Sequence, residues 1–195
     1  MTTRTSVPNT DSDQSQYLIE RSFGGRDCAF LDPAGNIVRI RELPAATAEA
    51  RSRAARKTDT LTMLRGAVVD VWVATASDDG APYLVPLSLA WIDERAVIAV
   101  RSNSATARDL RDRPNARLGL GPTRNVVMMD AVRERELAAT VDEALGTVYA
   151  VQADWDPRQS PGFVLFVLRP IRVQAWREAN EIAGRDLMRE GRWLV

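Results

Sequence analysis

Short apolar runs, separated by polar turns rich in Gly, Pro, Asp and Asn, fill most of the chain after residue 66. Apolar runs of this kind predict β-strands, and the short turns between them predict hairpins. Two clear turns have the sequences SDDG at 77–80 and GPTR at 121–124. The pattern predicts strands at 67–76, 82–92, 95–101, 115–120, 125–131, 163–168 and 171–176.

Three segments have a helical pattern instead. Residues 45–64 are rich in Ala and Arg, and Gly66 follows them. Residues 104–112 begin with Ser104, a residue type that caps helices, and they end before Pro114. Residues 141–151 are predicted to form the third helix.

Many hairpin-connected strands with few helices between them predict a mainly β (α+β) protein. We expect a six-stranded antiparallel split β-barrel, built mainly from 67–176, with short helices packed outside. A strictly parallel α/β architecture is not expected, because it needs a helix between most strands. The predicted organisation is a disordered polar segment at 1–16, a hairpin segment at 17–44 and the barrel domain at 45–195.

The amino-acid composition limits the classes of binding partner that we expect. The 26 basic and 26 acidic side chains give no net charge, so the sequence shows no footprint for nucleic acid or anionic membrane. No apolar run is long enough to span a bilayer, and the polar N-terminal segment has no signal-peptide core. We therefore expect a cytoplasmic protein with no membrane partner. The single cysteine excludes an internal disulfide.

The chain contains no histidine. This absence excludes histidine-based zinc sites, Ser-His-Asp and Cys-His nucleophiles, and imidazole acid–base chemistry. CxxC, GxGxxG and P-loop motifs are also missing. We predict no metal site and identify no catalytic side chain. If the protein is an enzyme, a bound redox cofactor would have to supply the chemistry.

The most informative segment lies at 96–110, where a strand ends at Arg101 and a small polar loop leads into a helix capped by Ser104. Arg108 falls on the first turn of that helix. Helix-start N–H groups, hydroxyls and a guanidinium together form a pocket for an anion. Spacing alone favours a simpler interpretation, in which Ser104 only caps the helix and the arginines are solvated.

A run of motifs resembles a known family. In order, these are VWVAT at 71–75, DGAP at 79–82, LVPLSLAW at 84–91, SATARDL at 104–110 and ARLGL at 116–120. The C-terminal sequences QAWREANE at 174–181 and GRDLMREGRWL at 184–194 add to the likeness. Together they resemble the pyridoxamine 5'-phosphate oxidase-like split barrels, which bind FMN or the deazaflavin coenzyme F420.

The resemblance implies a cofactor site and a homodimer with that site at its interface. Val85, Pro86 and Leu87 would face the isoalloxazine ring. Residues at the phosphate end would be Arg101, Ser102, Ser104, Thr106 and Arg108. Many relatives have a lysine or arginine in place of Thr106, so FMN, F420 and a weakened site all remain open.

Three functions follow as alternatives. The first is a flavin- or deazaflavin-dependent oxidoreductase that transfers hydride to an unidentified small molecule. The second is a non-catalytic flavin or F420 carrier or sensor. The third is an interaction module, because GRDCAFLDPAGN at 25–36 resembles the last hairpin of glyoxalase-like domains. Val38 and Arg39 stand where those domains often have a metal-binding glutamate, so we expect a fragment without metal chemistry.

The five tryptophans are a further source of flat apolar surface. Each has a ring that could stack on a flavin, but we expect most of them to pack in the core or at a dimer interface.

Overall fold

The computed structural model describes residues 4–6, 17–20, 26–31, 34, 37–41 and 49–195. The chain divides into two compact units, Met1–Glu49 and Ala50–Val195. In the first unit, the described residues form an antiparallel sheet in the order β1-β2-β3-β4. Its strands are Arg4–Ser6 (β1), Tyr17–Glu20 (β2), Arg26–Leu31 (β3) and Ile37–Arg41 (β4).

The pairing of β3 with β4 confirms the hairpin that the sequence predicts around 32–36. The predicted disordered segment at 1–16 lies outside the described residues, apart from β1.

The second unit contains three helices and eight strands. The helices are Arg53–Leu64 (α1), Ala105–Asp112 (α2) and Glu143–Ala153 (α3). The strands are Val69–Ala76 (β5), Pro82–Ile92 (β6), Arg95–Arg101 (β7), Asn115–Leu120 (β8), Val126–Ala138 (β9), Phe163–Trp176 (β10), Asp186–Arg189 (β11) and Arg192–Trp193 (β12).

These eight strands form one antiparallel sheet in the order β12-β11-β10-β7-β6-β5-β8-β9. An additional pairing of β9 with β10 closes six of them into a barrel, while β11 and β12 extend from the second half of β10. The predicted six-stranded antiparallel barrel is therefore confirmed. No helix in the described part of the chain is long and apolar enough to cross a membrane.

Several element boundaries differ from the predicted ones. Helix α1 begins at Arg53 rather than 45, because the Ser52 hydroxyl accepts a hydrogen bond from the Ala55 N–H and caps it there. The two strands predicted on either side of Pro170 form one strand, β10. Its register with β9 shifts between Pro170 and Arg172, which accommodates a residue that has no N–H to donate.

The barrel has two apolar cores. Alternate residues of the strands fill its interior, together with Leu64 from α1 and Ala107 and Leu110 from α2. A second core lies outside the barrel, where Tyr149 and other residues of α3 cover the outer side of β6, β7 and β10. Because both cores share these three strands, α3 is fixed directly against the part of the barrel that carries the candidate site.

Candidate functional site

Strands β6 and β7 separate along part of their length. Their pairing runs from Ile92 opposite Arg95 to Leu89 opposite Ile98 and stops there. Beyond that point, β7 continues to Arg101 in pairing with β10, while Pro82–Ser88 of β6 pair with β5. Continuing the antiparallel register across the gap would place Arg101 opposite Pro86. We call this opening the β6–β7 split.

Tyr149 of α3 lies at the inner end of the split and is fully buried. Its hydroxyl donates to the carbonyl oxygen of Ser88 at 3.2 Å, and it also forms a hydrogen bond with the backbone of Ala99. Ser88 and Ala99 are the first residues of β6 and β7 beyond their last mutual pair. Tyr149 therefore bonds to both strands where they diverge. Burial raises the pKa of its phenol to about 12.

The loop after β7 and the start of α2 form one side of the split. The Ser104 hydroxyl accepts from the Ala107 N–H at 3.2 Å, and the Ser104 N–H donates to the Arg101 carbonyl at 3.0 Å. The Ser102 N–H donates to the Gly162 carbonyl at 2.8 Å. These bonds confirm the predicted N-cap and hold the loop in one conformation beside the first turn of α2.

Two arginines, Arg101 and Arg108, flank this helix start. Arg108 is exposed, and one of its guanidinium nitrogens donates to the carbonyl of Asn103 at 2.6 Å. Arg101 is also exposed, and its guanidinium lies 5.1 Å from the centre of the Phe163 ring. Among the described residues, neither has an acidic side chain within ion-pair distance. We call this group, with Ser102 and Ser104, the α2 corner.

Arg111 stabilises the α2 corner by connecting it to β9. Its guanidinium pairs with Glu136 of β9 at 2.5 Å and donates to the Ser102 carbonyl at 2.7 Å. The hydrogen bond from Arg111 lowers the pKa of the Glu136 carboxyl. Arg111 is thus ion-paired, whereas Arg101 and Arg108 have no acidic partner among the described residues. The donors of the α2 corner fit a phosphate group.

Thr106 does not belong to this exposed set. Only 2% of its surface is accessible, because it lies on the face of α2 that is turned toward the barrel. The nearby buried polar pair is Thr75 and Asp109, joined by a 2.6 Å hydrogen bond from the threonine hydroxyl to the carboxylate. The structure therefore brings together Arg101, Ser102, Ser104 and Arg108, and places Thr106 beneath them.

The opposite side of the split is the unpaired stretch of β6. Val85 and Leu87 are half-buried and pair with Val73 and Val71, whose side chains point into the barrel. Pro86 points to the outer face and is exposed. A single flat ligand cannot meet all three side chains, since alternate residues of a strand point to opposite faces. The free main-chain edge of β6 is the surface that all three share.

Sequence reasoning missed two aromatic residues at this place. Tyr83 shares the side of β6 that carries Val85 and Leu87 and is 42% exposed. Tyr149 was included only in a predicted helix. Neither belongs to a local motif: the fold alone brings α3 to the split. No cluster of three metal-ligating side chains occurs in the part of the chain that the structure describes.

Comparison with known proteins supports the fold. No family model matches the chain, and no curated protein matches it. Among solved structures, Campylobacter jejuni ChuZ matches with a TM-score of 0.58 and 12% identity, over 90% of this chain and 83% of that one. A conserved hypothetical protein from Mycobacterium tuberculosis matches with a TM-score of 0.54 and 18% identity, over 70% and 92%.

A heme binding protein from Mycobacterium smegmatis gives a TM-score of 0.52 and 18% identity, over 74% of this chain and 60% of that one. At these identities the likeness shows the split-barrel fold. Nothing in the comparisons supports the resemblance of residues 25–36 to a glyoxalase-like domain.

Proposed function

We propose that this protein is a flavin- or deazaflavin-dependent oxidoreductase that binds FMN or coenzyme F420 in the β6–β7 split. The observation that carries the proposal is the α2 corner. It presents two arginines that have no carboxylate partner among the described residues, beside a capped helix start and across the split from the free edge of β6. An anion at this position would meet the helix dipole and a guanidinium fork together.

Each side of the split has a separate task in this proposal. Ser102, Ser104, Arg101 and Arg108 hold the phosphate. The free edge of β6 offers main-chain N–H and C=O groups to the polar edge of a flat ring, and Val85 and Leu87 supply apolar contact. The bound cofactor supplies hydride transfer to a small molecule, while the chain orients the reactants and excludes water.

A flavin fits the chain better than a heme does. One structural neighbour is a heme binding protein, and heme iron in proteins is most often held by histidine. This chain has no histidine at all. The charged groups of the α2 corner suit a phosphate ester, which FMN and F420 both carry. We therefore propose the flavin class, acting as a homodimer with the cofactor near the interface.

The test compares two arginines of the same helix region. Arg108→Ala removes a charge from the α2 corner. Arg113→Ala removes a charge at the other end of α2, where the side chain bonds to Asp78 instead. Since a hydrogen bond to a charged group contributes about 1.5–3 kcal/mol, Arg108→Ala should weaken cofactor binding by roughly ten- to a hundredfold. Arg113→Ala should leave affinity nearly unchanged.

Affinity is measured by titrating FMN and F420 into each purified protein and following fluorescence. Equal affinities for the wild type and Arg108→Ala would remove the phosphate role of the α2 corner. Absence of binding to either cofactor in the wild type would overturn the proposed function. Reductase assays with NAD(P)H or reduced F420 and electron acceptors then separate an enzyme from a carrier or sensor, which would bind without turnover.

A further inference from the structure

An open groove lies between α3 and the loop that follows α1. One side of it is formed by α3, where Val148 and Val151 are 49% and 77% exposed. The other side is formed by Arg65, Gly66 and Ala67. The groove has a volume of about 410 Å³, which lies within the range of small-molecule sites. We call it the α3 groove.

The neutral polar side chains that line the groove are already hydrogen-bonded within the protein. The Thr147 hydroxyl donates to the Glu143 carbonyl at 2.8 Å and accepts from the Arg158 guanidinium at 2.9 Å. Both ends of the Gln152 side-chain amide are bonded to backbone groups, at the end of α1 and in β6. Among the lining side chains, Arg65 is therefore the one that is left to bind a polar group of a ligand.

Arg65 supplies the charge of the groove lining. It is exposed, and among the described residues no acidic side chain lies within ion-pair distance of its guanidinium. The neighbouring Arg158 differs, because it forms ion pairs with Glu143 and Asp156 at 2.8 Å each. An arginine without an acidic partner, beside an apolar surface, fits a carboxylate that is attached to an alkyl group.

The loop side of the groove is held against α3. Val68, which follows Ala67, has a φ of 55°, in the left-handed region that β-branched residues rarely adopt. Its N–H donates to the Gln152 carbonyl at 2.8 Å, and the Gln152 side chain donates to the carbonyls of Leu64 and Gly66 at 2.7 and 3.0 Å. These bonds fix the loop on both sides of Val68. The groove is therefore formed in advance, and binding requires little further ordering of the chain.

We propose that the α3 groove binds an amphipathic carboxylate, with its alkyl chain against Val148, Val151 and Ala67 and its carboxylate at Arg65. The apolar lining suits the chain, and the one cation suits a single anionic group. A nucleic acid would need several cations along its backbone, and an anionic membrane surface would need a basic face around the apolar one. The size and charge of the groove therefore favour a small ligand.

Alkyl chain length gives the first test. Hexanoate, octanoate and decanoate are titrated into the wild type at neutral pH, and binding is followed by isothermal titration calorimetry. Full removal of one methylene from water strengthens binding by about fourfold. The groove is open to solvent, so we expect a gain of about two- to threefold for each added methylene. An affinity that does not rise with chain length would overturn the inference.

The head group gives the second test, because Arg65 should act on a carboxylate and not on an alcohol. Arg65→Gln should weaken octanoate binding by about tenfold, the lower end of the effect of a charge-assisted contact, and leave the affinity for 1-octanol nearly unchanged. Arg108→Ala, which removes a charge from the α2 corner, should retain octanoate binding. A loss in Arg108→Ala with none in Arg65→Gln would assign the carboxylate to the α2 corner and overturn the inference.

The apolar side of the groove gives the third test. Val151→Asn should weaken octanoate and 1-octanol binding alike, by at least about fivefold, because it places a polar amide against the alkyl chain. Val141→Asn is the matched control, since Val141 is 70% exposed but does not line the groove. Equal losses in the two variants would indicate non-specific surface binding and overturn the inference. Circular dichroism checks that each variant folds, and Val148→Asn replaces Val151→Asn if the latter does not.

The FMN and F420 titrations are a separate readout, because the α3 groove shares no lining residue with the β6–β7 split or the α2 corner. A protein that binds octanoate through Arg65 but binds neither cofactor would support this inference while rejecting the proposed function. A folded wild type that binds no decanoate at millimolar concentration would overturn this inference, whatever the cofactor titrations give.

Discussion

Tyr149 shows how one side chain can fix the shape of the split. Without its hydroxyl, the carbonyl of Ser88 would face β7 at a point where the two strands no longer pair. The ring is fully buried and forms an edge-to-face contact with Trp155, with centroids 6.5 Å apart. Trp155 in turn contacts Phe163, over which Arg101 is placed. A row of aromatic rings thus connects the inner end of the split to the α2 corner.

Tyr149→Phe should keep the packing and lose only the hydroxyl. The Ser88 carbonyl would lose its bond, so we expect the free energy of unfolding at pH 7 to fall by about 1–3 kcal/mol. Tyr83→Phe removes a hydroxyl from a 42% exposed ring and should change stability by less than about 0.5 kcal/mol. Urea denaturation of the three proteins measures both effects. Equal losses in the two variants would contradict the role of the hydrogen bonds.

Tyr149→Phe should also change how the free energy of unfolding depends on pH above pH 10. The pKa of Tyr149 is about 12 in the folded protein, against about 10 in an unfolded chain. Between pH 10 and pH 12 the phenol loses its proton more readily in the unfolded state than in the folded state. The contribution of Tyr149 to the free energy of unfolding is therefore complete below pH 10 and is lost as the pH rises toward 12. The stability advantage of the wild type over Tyr149→Phe should therefore shrink across this range.

Turns between strands set how the barrel closes. Gly80 and Gly121 both have a positive φ, at 89° and 84°, in the β5–β6 and β8–β9 hairpins. A Cβ at Gly80 would meet no atom within 4 Å, whereas one at Gly121 would lie 2.2 Å from the carbonyl oxygen of Asn125. The two hairpins thus need glycine for different reasons: Gly80 for its backbone conformation alone, and Gly121 also for the space its missing side chain leaves.

Gly121→Ala and Gly80→Ala form a matched pair. In both variants the free energy of unfolding should fall by about 1–2 kcal/mol, because an L side chain is placed at positive φ. Gly121→Ala must in addition displace the backbone of the β8–β9 turn, so its total loss should exceed about 3 kcal/mol, beyond the usual range for a point substitution. Thermal and urea unfolding measure both. A Gly121→Ala protein as stable as Gly80→Ala would show that the turn can relax freely.

The barrel as a whole is tied together at its C-terminal side by one buried carboxylate. Glu181 accepts bonds from the Arg51 backbone at 3.0 Å and from its guanidinium at 2.8 and 2.9 Å, and from the Arg177 N–H at 2.8 Å. Arg56 of α1 donates to three backbone carbonyls of the same C-terminal region. The segment before α1 and α1 itself are thereby attached to the chain that follows β10.

Glu181→Gln should lower the free energy of unfolding by about 1.5–3 kcal/mol at neutral pH, because Arg51 loses its buried charged partner and keeps only the more exposed Asp59. Hydrogen bonding from Arg51 lowers the pKa of Glu181 to about 2, below the usual value near 4.5. The wild-type advantage is therefore complete above pH 4.5 and disappears as the pH falls toward 2. Chemical denaturation between pH 2 and 7 measures it.

Glu178→Gln is the control for this prediction. Glu178 pairs with Arg124 at 2.6 Å, but both side chains are more than half exposed, and exposed pairs contribute little. The variant should follow the wild type at every pH. An acid transition of equal size in both glutamine variants would assign the effect to general charge rather than to Glu181.

The local pattern of apolar and turn residues was sufficient to predict most strands of the barrel. The strands at 82–92, 95–101 and 115–120 have the predicted bounds, because each is an apolar run limited by Pro, Gly or Asp–Glu turns that act on their own neighbours. Strands β11 and β12 were not predicted. They have four and two residues, and they form because β10 extends far enough beyond β7 to pair with β11, which in turn pairs with β12.

Part of the candidate site could likewise be predicted from local sequence, and part depended on the tertiary structure. Arg101, the Ser104 cap and Arg108 could be read from the sequence, since a strand, a loop and a helix start are local structures whose hydrogen bonds join near neighbours. The burial of Thr106, the opposite directions of Val85 and Pro86, and the position of Tyr149 depend on which strands pair and where that pairing ends. These features depend on contacts between residues far apart in the chain. A local sequence pattern does not show which distant segments come together in space.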